Sequence, residues 1–187
     1  MFAKLLRLTR AGSPGLDNGM PEVTMETATV RVLFVCMGNL CRSPVAEGVF
    51  RHLLHQYQID DKVLVDSAGT HAYHDGSPPD RRMQEAARRR GVELARLRAR
   101  RVEPEDFEHF DYIIAMDDDN YRHLVDLCPD PAWNDRIRLF MTYAPSLPER
   151  EVPDPYYGML SGFERVIDLV EEAAQGLVLH IRRQHSL

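Results

Sequence analysis

The segment Cys36-Met37-Gly38-Asn39-Leu40-Cys41-Arg42-Ser43 sets a thiol and a guanidinium near the two ends of one short stretch of chain. A sulfur nucleophile beside a planar cationic fork suits attack on a phosphate ester. The fork matches two phosphate oxygens at once, and the sulfur supplies the electron pair. The flanks predict how the segment is held. Val30-Arg31-Val32-Leu33-Phe34-Val35 reads as a buried strand. Beyond the loop, Val45, Ala46, Val49, Phe50, Leu53, Leu54 and Tyr57 recur at helical spacing, with Pro44 in the first turn, where its missing N–H costs nothing. Strand, tight loop and helix in that order make a nest of backbone N–H groups from Met37 to Ser43, backed by a helix N-terminus, for an anion. The same positive field favours the thiolate of Cys36. Asn39 tolerates the left-handed backbone such a nest needs, and Ser43 is placed to donate to the Cys36 sulfur. Cys41, in the same loop, is a candidate partner for Cys36 on oxidation.

Further elements must carry the rest of a site. Val63-Leu64-Val65 reads as a second strand, Pro79 to Arg90 as a helix stopped by Gly91, and Phe110 to Ala115 as a third strand. Asp118 to Leu127 reads as a helix ending before Pro129, and Arg136 to Phe140 as a fourth strand. After a Pro-rich loop from Pro145 to Pro155, Phe163, Val166, Ile167, Val170, Ala174, Leu177, Val178 and Ile181 mark a long amphipathic helix. Strands alternating with helices imply an α/β fold with a parallel sheet and right-handed crossovers. In such sheets ligands bind beyond the carboxyl ends of the strands, which gathers the Cys36, Ser67, Asp117 and Asp154 loops at one edge.

The chain has 187 residues, 44% of them hydrophobic, enough for one domain with a real core. Residues 1–28 are expected to be a disordered extension and 29–185 the domain. Met1 to Arg10 is basic but lacks the apolar core of a secretory signal, and Met20 or Met25 are alternative starts. Three cysteines, an odd number, fit free thiols in a reducing, cytoplasmic setting. No run approaches a membrane span. The net charge of −6 argues against nucleic acid as a partner. Nine arginines nevertheless crowd Arg81 to Arg101 against only Glu85 and Glu93. A solvated face is the expected reading there, and steering of acidic phosphoproteins the sharper one. No metal-ligand spacing occurs, so neither metal nor other cofactor is expected.

The string Val-Leu-Phe-Val-Cys-Met-Gly-Asn-Leu-Cys-Arg-Ser-Pro-Val-Ala-Glu, with its Cys-x5-Arg-Ser signature, resembles the low-molecular-weight protein tyrosine phosphatases. Asp66-Ser67-Ala68-Gly69-Thr70, Gly76-Ser77-Pro78-Pro79-Asp80, Phe110 to Asp117 and Asp154-Pro155-Tyr156-Tyr157-Gly158 are similar to that family's later blocks, in the same order. The resemblance implies a four-stranded sheet in the order 2-1-3-4 with helices on both faces. It implies hydrolysis of protein phosphotyrosine through a phosphocysteine on Cys36, with Arg42 on the phosphate and Asp154 as general acid and then base. Asp154 before Pro155 is also an ordinary turn initiator. Tyr156, Tyr157 and Tyr73 would wall a cleft for an aromatic ring, Tyr73 standing where many members carry Trp. Arg90 departs from the pattern: vertebrate members carry there a His that braces the loop. Expected partners are tyrosine-phosphorylated proteins, with phosphate or a similar oxyanion as inhibitor.

Two other functions fit parts of the pattern. A thiol-coupled arsenate reductase shares the fold and loop but needs two further relay cysteines, and Cys128 has no companion. A non-catalytic phosphotyrosine-binding module would keep the nest and lose Cys36 or Asp154.

Overall fold

The computed structural model describes residues 23–156 and 158–187. Its centre is a parallel four-stranded sheet. The strands are β1 (Val30–Cys36), β2 (Val63–Gly69), β3 (Tyr112–Ala115) and β4 (Ile137–Leu139), in the order β2-β1-β3-β4. The connections are α1 (Arg42–Gln56), α2 (Arg81–Arg89), the single turn α3 (Asp106–His109) and α4 (Asp118–Leu127), and the chain closes with α5 (Leu160–His185).

β1 is buried along nearly its whole length, as a central parallel strand covered on both faces must be. Its alternation sorts the core into two halves. Val30, Val32, Phe34 and Cys36 face the cluster built with α1, α2 and α5, while Leu33 and Val35 face the one containing Phe107 of α3, Phe110 just after it and Leu124 of α4. Phe34 makes edge-to-face contacts with Phe50 (5.4 Å) and Phe140 (5.2 Å), locking β1 to α1 and to the turn after β4.

The element boundaries differ from the sequence expectation where side chains override period. α2 begins at Arg81 because the Asp80 side chain accepts from the Arg82 N–H, a cap that stops the helix short of Pro79. β4 ends at Leu139. Phe140 turns into the core to meet Phe34 and opens a 3-10 turn, Phe140–Tyr143. α3 and the 3-10 turn Pro131–Arg136 are too short to leave a periodic signal. Residues 23–28 lead into β1, with Ala28 buried and the Arg31 guanidinium donating to Met25 O. Residues 1–22, the larger part of the expected extension, lie outside the described residues. No helix among the described residues is long and apolar enough to cross a membrane.

The register puts one residue from each strand end at the same edge of the sheet. Cys36 pairs with Gly69, and Val35 with both Ala68 and Ala115. The chain leaving each strand therefore passes Cys36. The long loop before α5 is tied to this edge as well, since Val152 N–H donates to Met116 O at 2.8 Å.

Candidate active site

The loop from Met37 to Cys41 is pinned from both sides by backbone bonds. Thr70 N–H donates to Cys36 O (2.8 Å), His71 N–H to Met37 O (3.1 Å) and Asp80 N–H to Leu40 O (2.8 Å). Gly69 allows the first two, because a Cβ there would stand 2.8 Å from Met37 O. Asn39 takes the left-handed backbone, φ 53°. A buried polar chain holds it there. Its Oδ1 accepts from Arg100 N–H (3.1 Å), and its Nδ2 donates to Ser43 Oγ (2.9 Å) and to Ser67 Oγ (3.0 Å). These partners leave one orientation for the amide.

Ser43 Oγ lies 3.0 Å from Cys36 Sγ and 3.2 Å from Ala68 O. The hydroxyl has one proton and, with Asn39 donating to its oxygen, can direct it either to the Ala68 carbonyl or to the nearer sulfur. Ser67 in turn donates to Glu47 Oε2 at 2.6 Å. Glu47 is buried on the inner face of α1, and burial pushes its carboxyl above the usual range against the pull of Arg51 and Ser67. The sequence reading passed over Glu47, although a carboxylate between Ala46 and Val49 on an apolar stripe was a visible signal.

Arg42 opens α1 and is buried. Its Nη1 donates to Asp117 Oδ2 (2.5 Å) and to Val152 O (3.2 Å), and its Nη2 donates to Asp154 Oδ2 (2.9 Å). Burial works against its charge, yet Cys36 and Asp154, with the Asp117 hydrogen bond, hold the guanidinium more firmly protonated than usual. Asp117 is committed twice, since its Oδ1 caps α4 by accepting from Asn120 N–H at 2.7 Å. Asp154 accepts Tyr156 N–H on Oδ1 (3.1 Å), so it makes the Asx turn expected of an Asp-Pro pair while its other oxygen faces Arg42. From the sequence only the Asp117 loop could be placed at this edge, since the contact with Arg42 joins positions 75 apart.

Around this centre, Gly38 faces the His74 ring and Met37 is exposed. Tyr73, 75% exposed, stacks on His71 with ring centroids 5.2 Å apart. Tyr156 lies under the Arg82 guanidinium, 5.6 Å from its ring centroid, and its carbonyl accepts from Arg82 Nη2 (3.1 Å). Tyr157 lies outside the described residues. Cys41 is buried at the head of α1, and burial, with Asp80 and Cys36 nearby, pushes its thiol up. The three cysteines are free thiols, and Cys128 sits past the far end of α4 with Sγ on Asp130 O. Arg90 meets Glu164, Asp168 and Glu171 of α5 rather than the loop, so bracing falls to the Asn39 chain. Most of the crowded arginines are likewise neutralised, by Glu85, Asp80, Glu93, the α5 acids, Asp66 and Asp106.

A buried sulfur at a strand end, a pinned loop that leads from it into the N-terminus of α1, a guanidinium and two carboxylates on that guanidinium form a site able to hold a tetrahedral anion and attack it. Comparison with known proteins agrees with that geometry. The family described as low molecular weight phosphotyrosine protein phosphatase matches residues 31–187. The human low molecular weight phosphotyrosine protein phosphatase is 44% identical over 147 residues, 75% of this chain and 89% of that protein. The Bacillus subtilis low molecular weight protein-tyrosine-phosphatase YfkJ is 37% identical over 158 residues, 84% and 99% of the two chains. The crystal structure of a protein tyrosine phosphatase from Entamoeba histolytica superposes with a TM-score of 0.80 at 40% identity, covering 84% of this chain and 99% of that one. With the family's model matched over residues 31–187 and relatives of 37–44% identity across most of its length, the chain belongs to the low molecular weight phosphotyrosine protein phosphatase family.

Proposed function

We propose that the chain hydrolyses phosphotyrosine in proteins through a phosphocysteine intermediate on Cys36. The observation that carries the reading is the single guanidinium of Arg42, which lies in the same loop as Cys36 and hydrogen-bonds Asp154. In the first step the Cys36 sulfur forms a bond to phosphorus as the bond from phosphorus to the tyrosine oxygen breaks. Asp154 delivers a proton to that oxygen, a phenolate of pKa about 10 that leaves poorly without it. Loop N–H groups and Arg42 carry the charge spread over the equatorial oxygens. In the second step water attacks phosphorus, Asp154 takes its proton, and the sulfur leaves as the thiolate that Ser43 and the loop receive. Tyr73, stacked on His71, and Tyr156, under Arg82, would suit an aromatic substrate side chain.

The substrates are tyrosine-phosphorylated proteins, with free phosphate or a similar oxyanion competing for the loop. The setting is cytoplasmic, in keeping with three free thiols. A reductase relay finds little support, since Cys128 lies past the α4 end opposite Asp117. Hydrolysis of para-nitrophenyl phosphate and phosphotyrosine peptides, unaffected by EDTA and abolished in Cys36→Ser, is the expected result. Activity that survives in Cys36→Ser, or is lost to EDTA, overturns the proposal.

A further inference from the structure

A groove of roughly 1210 Å³ lies toward the end of the sheet away from Cys36, between the β4 edge and the last turns of α5. Asp111 and Tyr112 at the start of β3, and Arg136 just before β4, form one end of it. Along α5 its wall runs from Gly176 to Gln184, which at about 1.5 Å per residue is about 12 Å. That length accommodates roughly four residues of extended chain.

Its charge is opposite to that of the protein. The whole chain carries −6, and most of its other arginines are paired with carboxylates. Arg136, Arg138, Arg182 and Arg183 all line the groove, and none has an Asp or Glu side chain within salt-bridge distance among the described residues. Two of the four are engaged otherwise. Arg136 donates to Phe107 O and Glu108 O, and Arg182 lies over the Tyr57 ring with Nε on Leu187 O. Arg138 and Arg183 are exposed; Arg138 reaches only the adjoining Ile137 O. Between them His180 packs edge-on to Tyr143 (5.3 Å) and Tyr112 (5.9 Å). Burial, then Arg183, Arg138 and His185, hold its imidazole below the usual range. Of the two lining acids, Asp111 is taken up by Arg31 through its N–H (2.8 Å) and guanidinium (3.8 Å), which leaves Asp135 as the counterweight.

We propose that this groove docks an extended acidic segment of a partner protein, whose carboxylates meet Arg138 and Arg183. An acidic peptide fits on three counts: charge complementarity, a trough several residues long rather than a closed cavity, and tyrosine and histidine faces that pack against backbone and side-chain methylenes.

The test measures binding and does not depend on turnover, so it stands whether or not the phosphatase reading holds. The full chain is titrated into a fluorescein-labelled octaglutamate peptide at low ionic strength, and anisotropy is read. Expected is saturable binding that weakens at least about tenfold in Arg138→Glu/Arg183→Glu and less in Arg138→Gln/Arg183→Gln, with melting unchanged. Cys36→Ser should leave the affinity unchanged, and inorganic phosphate should weaken it no more than sodium chloride of equal ionic strength. If the Glu variant fails to fold, the Gln variant decides. No binding by the parent, equal affinity in the variants, or a loss to phosphate beyond that to chloride of equal ionic strength overturns the proposal. An octauridylate that binds more tightly than the peptide and depends on the same arginines would also overturn it, in favour of nucleic acid.

Discussion

Asp154 Oδ2 rests 2.9 Å from Arg42 Nη2, on the guanidinium whose other terminal nitrogen meets Asp117 at 2.5 Å. Two carboxylates thus converge on the one fork that a phosphoryl group would also seek. Their burial differs. Asp117 is largely enclosed and capped into α4, whereas the Asp154 side chain keeps 38% of its surface in contact with solvent. A dianion that enters the loop competes with both for the same donors, and the looser of the two is the one free to turn toward a leaving oxygen. On the proposed reading, Asp117 is the fixed partner that keeps Arg42 aligned, and Asp154 the carboxylate that moves a proton.

Asp154→Asn should therefore slow phosphoryl transfer by about 10²- to 10⁴-fold for phosphotyrosine, and much less for para-nitrophenyl phosphate, whose phenolate departs without help. Burst kinetics across leaving groups of graded basicity check this. A leaving-group dependence equal to the parent's would mean that the acid lies elsewhere, with Asp117 the next carboxylate to test. Arg42→Lys should instead weaken KM and kcat together, because a point charge cannot replace the fork.

Asn39→Ala removes the amide that joins Ser43, Ser67 and the Arg100 N–H. The Arg100 N–H loses its acceptor and each hydroxyl one of its partners, which costs about 1–3 kcal/mol, and the residue at φ 53° loses its side-chain anchor. Denaturant unfolding should show the stability loss, and kcat should fall more than KM rises, since the loop is held for the charge that develops in the transition state. Unchanged kcat would mean that backbone bonds alone shape the nest.

Cys41 shares the loop with Cys36, and its buried thiol is held protonated, so oxidation should begin at Cys36. Peroxide converts the Cys36 sulfur to a sulfenic acid, and attack by the Cys41 sulfur then expels water and forms the disulfide. Reductant should restore the parent almost fully after mild peroxide. Cys41→Ser should turn over substrate but recover less. Mass spectrometry that pairs Cys36 with Cys128, or equal recovery in the two proteins, would count against the pairing.

The parts of this architecture that were legible in the sequence are those with local cause. The β1 run, the Cys36 loop and the α1 stripe announce themselves by period and turn chemistry, and they also fix where the anion nest lies. Less was visible where partners are distant. Arg42 meets Asp117 and Asp154 across 75 and 112 positions, and the Val152–Met116 bond that brings the latter in depends on register. Phe140 shortens β4 because its ring is needed against Phe34, a tertiary demand that no strand propensity encodes. Arg90 was legible as a departure, but its α5 partners were not.

Gly176 on α5 faces the Tyr143 carbonyl so closely that a Cβ would run into that backbone. Gly176→Ala should push α5 away from the turn after β4 and destabilise the protein by about 1–3 kcal/mol, despite the better helix propensity of Ala. For a domain of this size that lowers Tm by roughly 2–4 °C per kcal/mol, readable by calorimetry. Since the site lies at the other end of α5, kcat below the transition should be unchanged. A Tm at or above the parent's would show that the backbone of the turn yields without cost.

Glu47 gives a pH-dependent test of the buried chain behind the loop. Burial raises its carboxyl above the ordinary value of 4.5 in the folded protein, against the hydrogen bond from Ser67 and the charge of Arg51. Below 4.5 both folded and unfolded forms hold the proton, so the group costs nothing in that range. As pH rises from 4.5 through the raised folded value, the unfolded chain releases its proton first and stability falls. Above that window the loss is complete and constant. Glu47→Gln removes the titration while its amide oxygen can still accept from Ser67, so the unfolding free energy measured by urea should lose this downward slope. Glu47→Leu separates charge from hydrogen bonding: it should flatten the same slope yet also leave Ser67 without its acceptor, lowering stability at every pH by about 1–3 kcal/mol. A parent and Glu47→Gln with parallel pH profiles would mean that Arg51 and Ser67 fully offset the burial of the carboxylate.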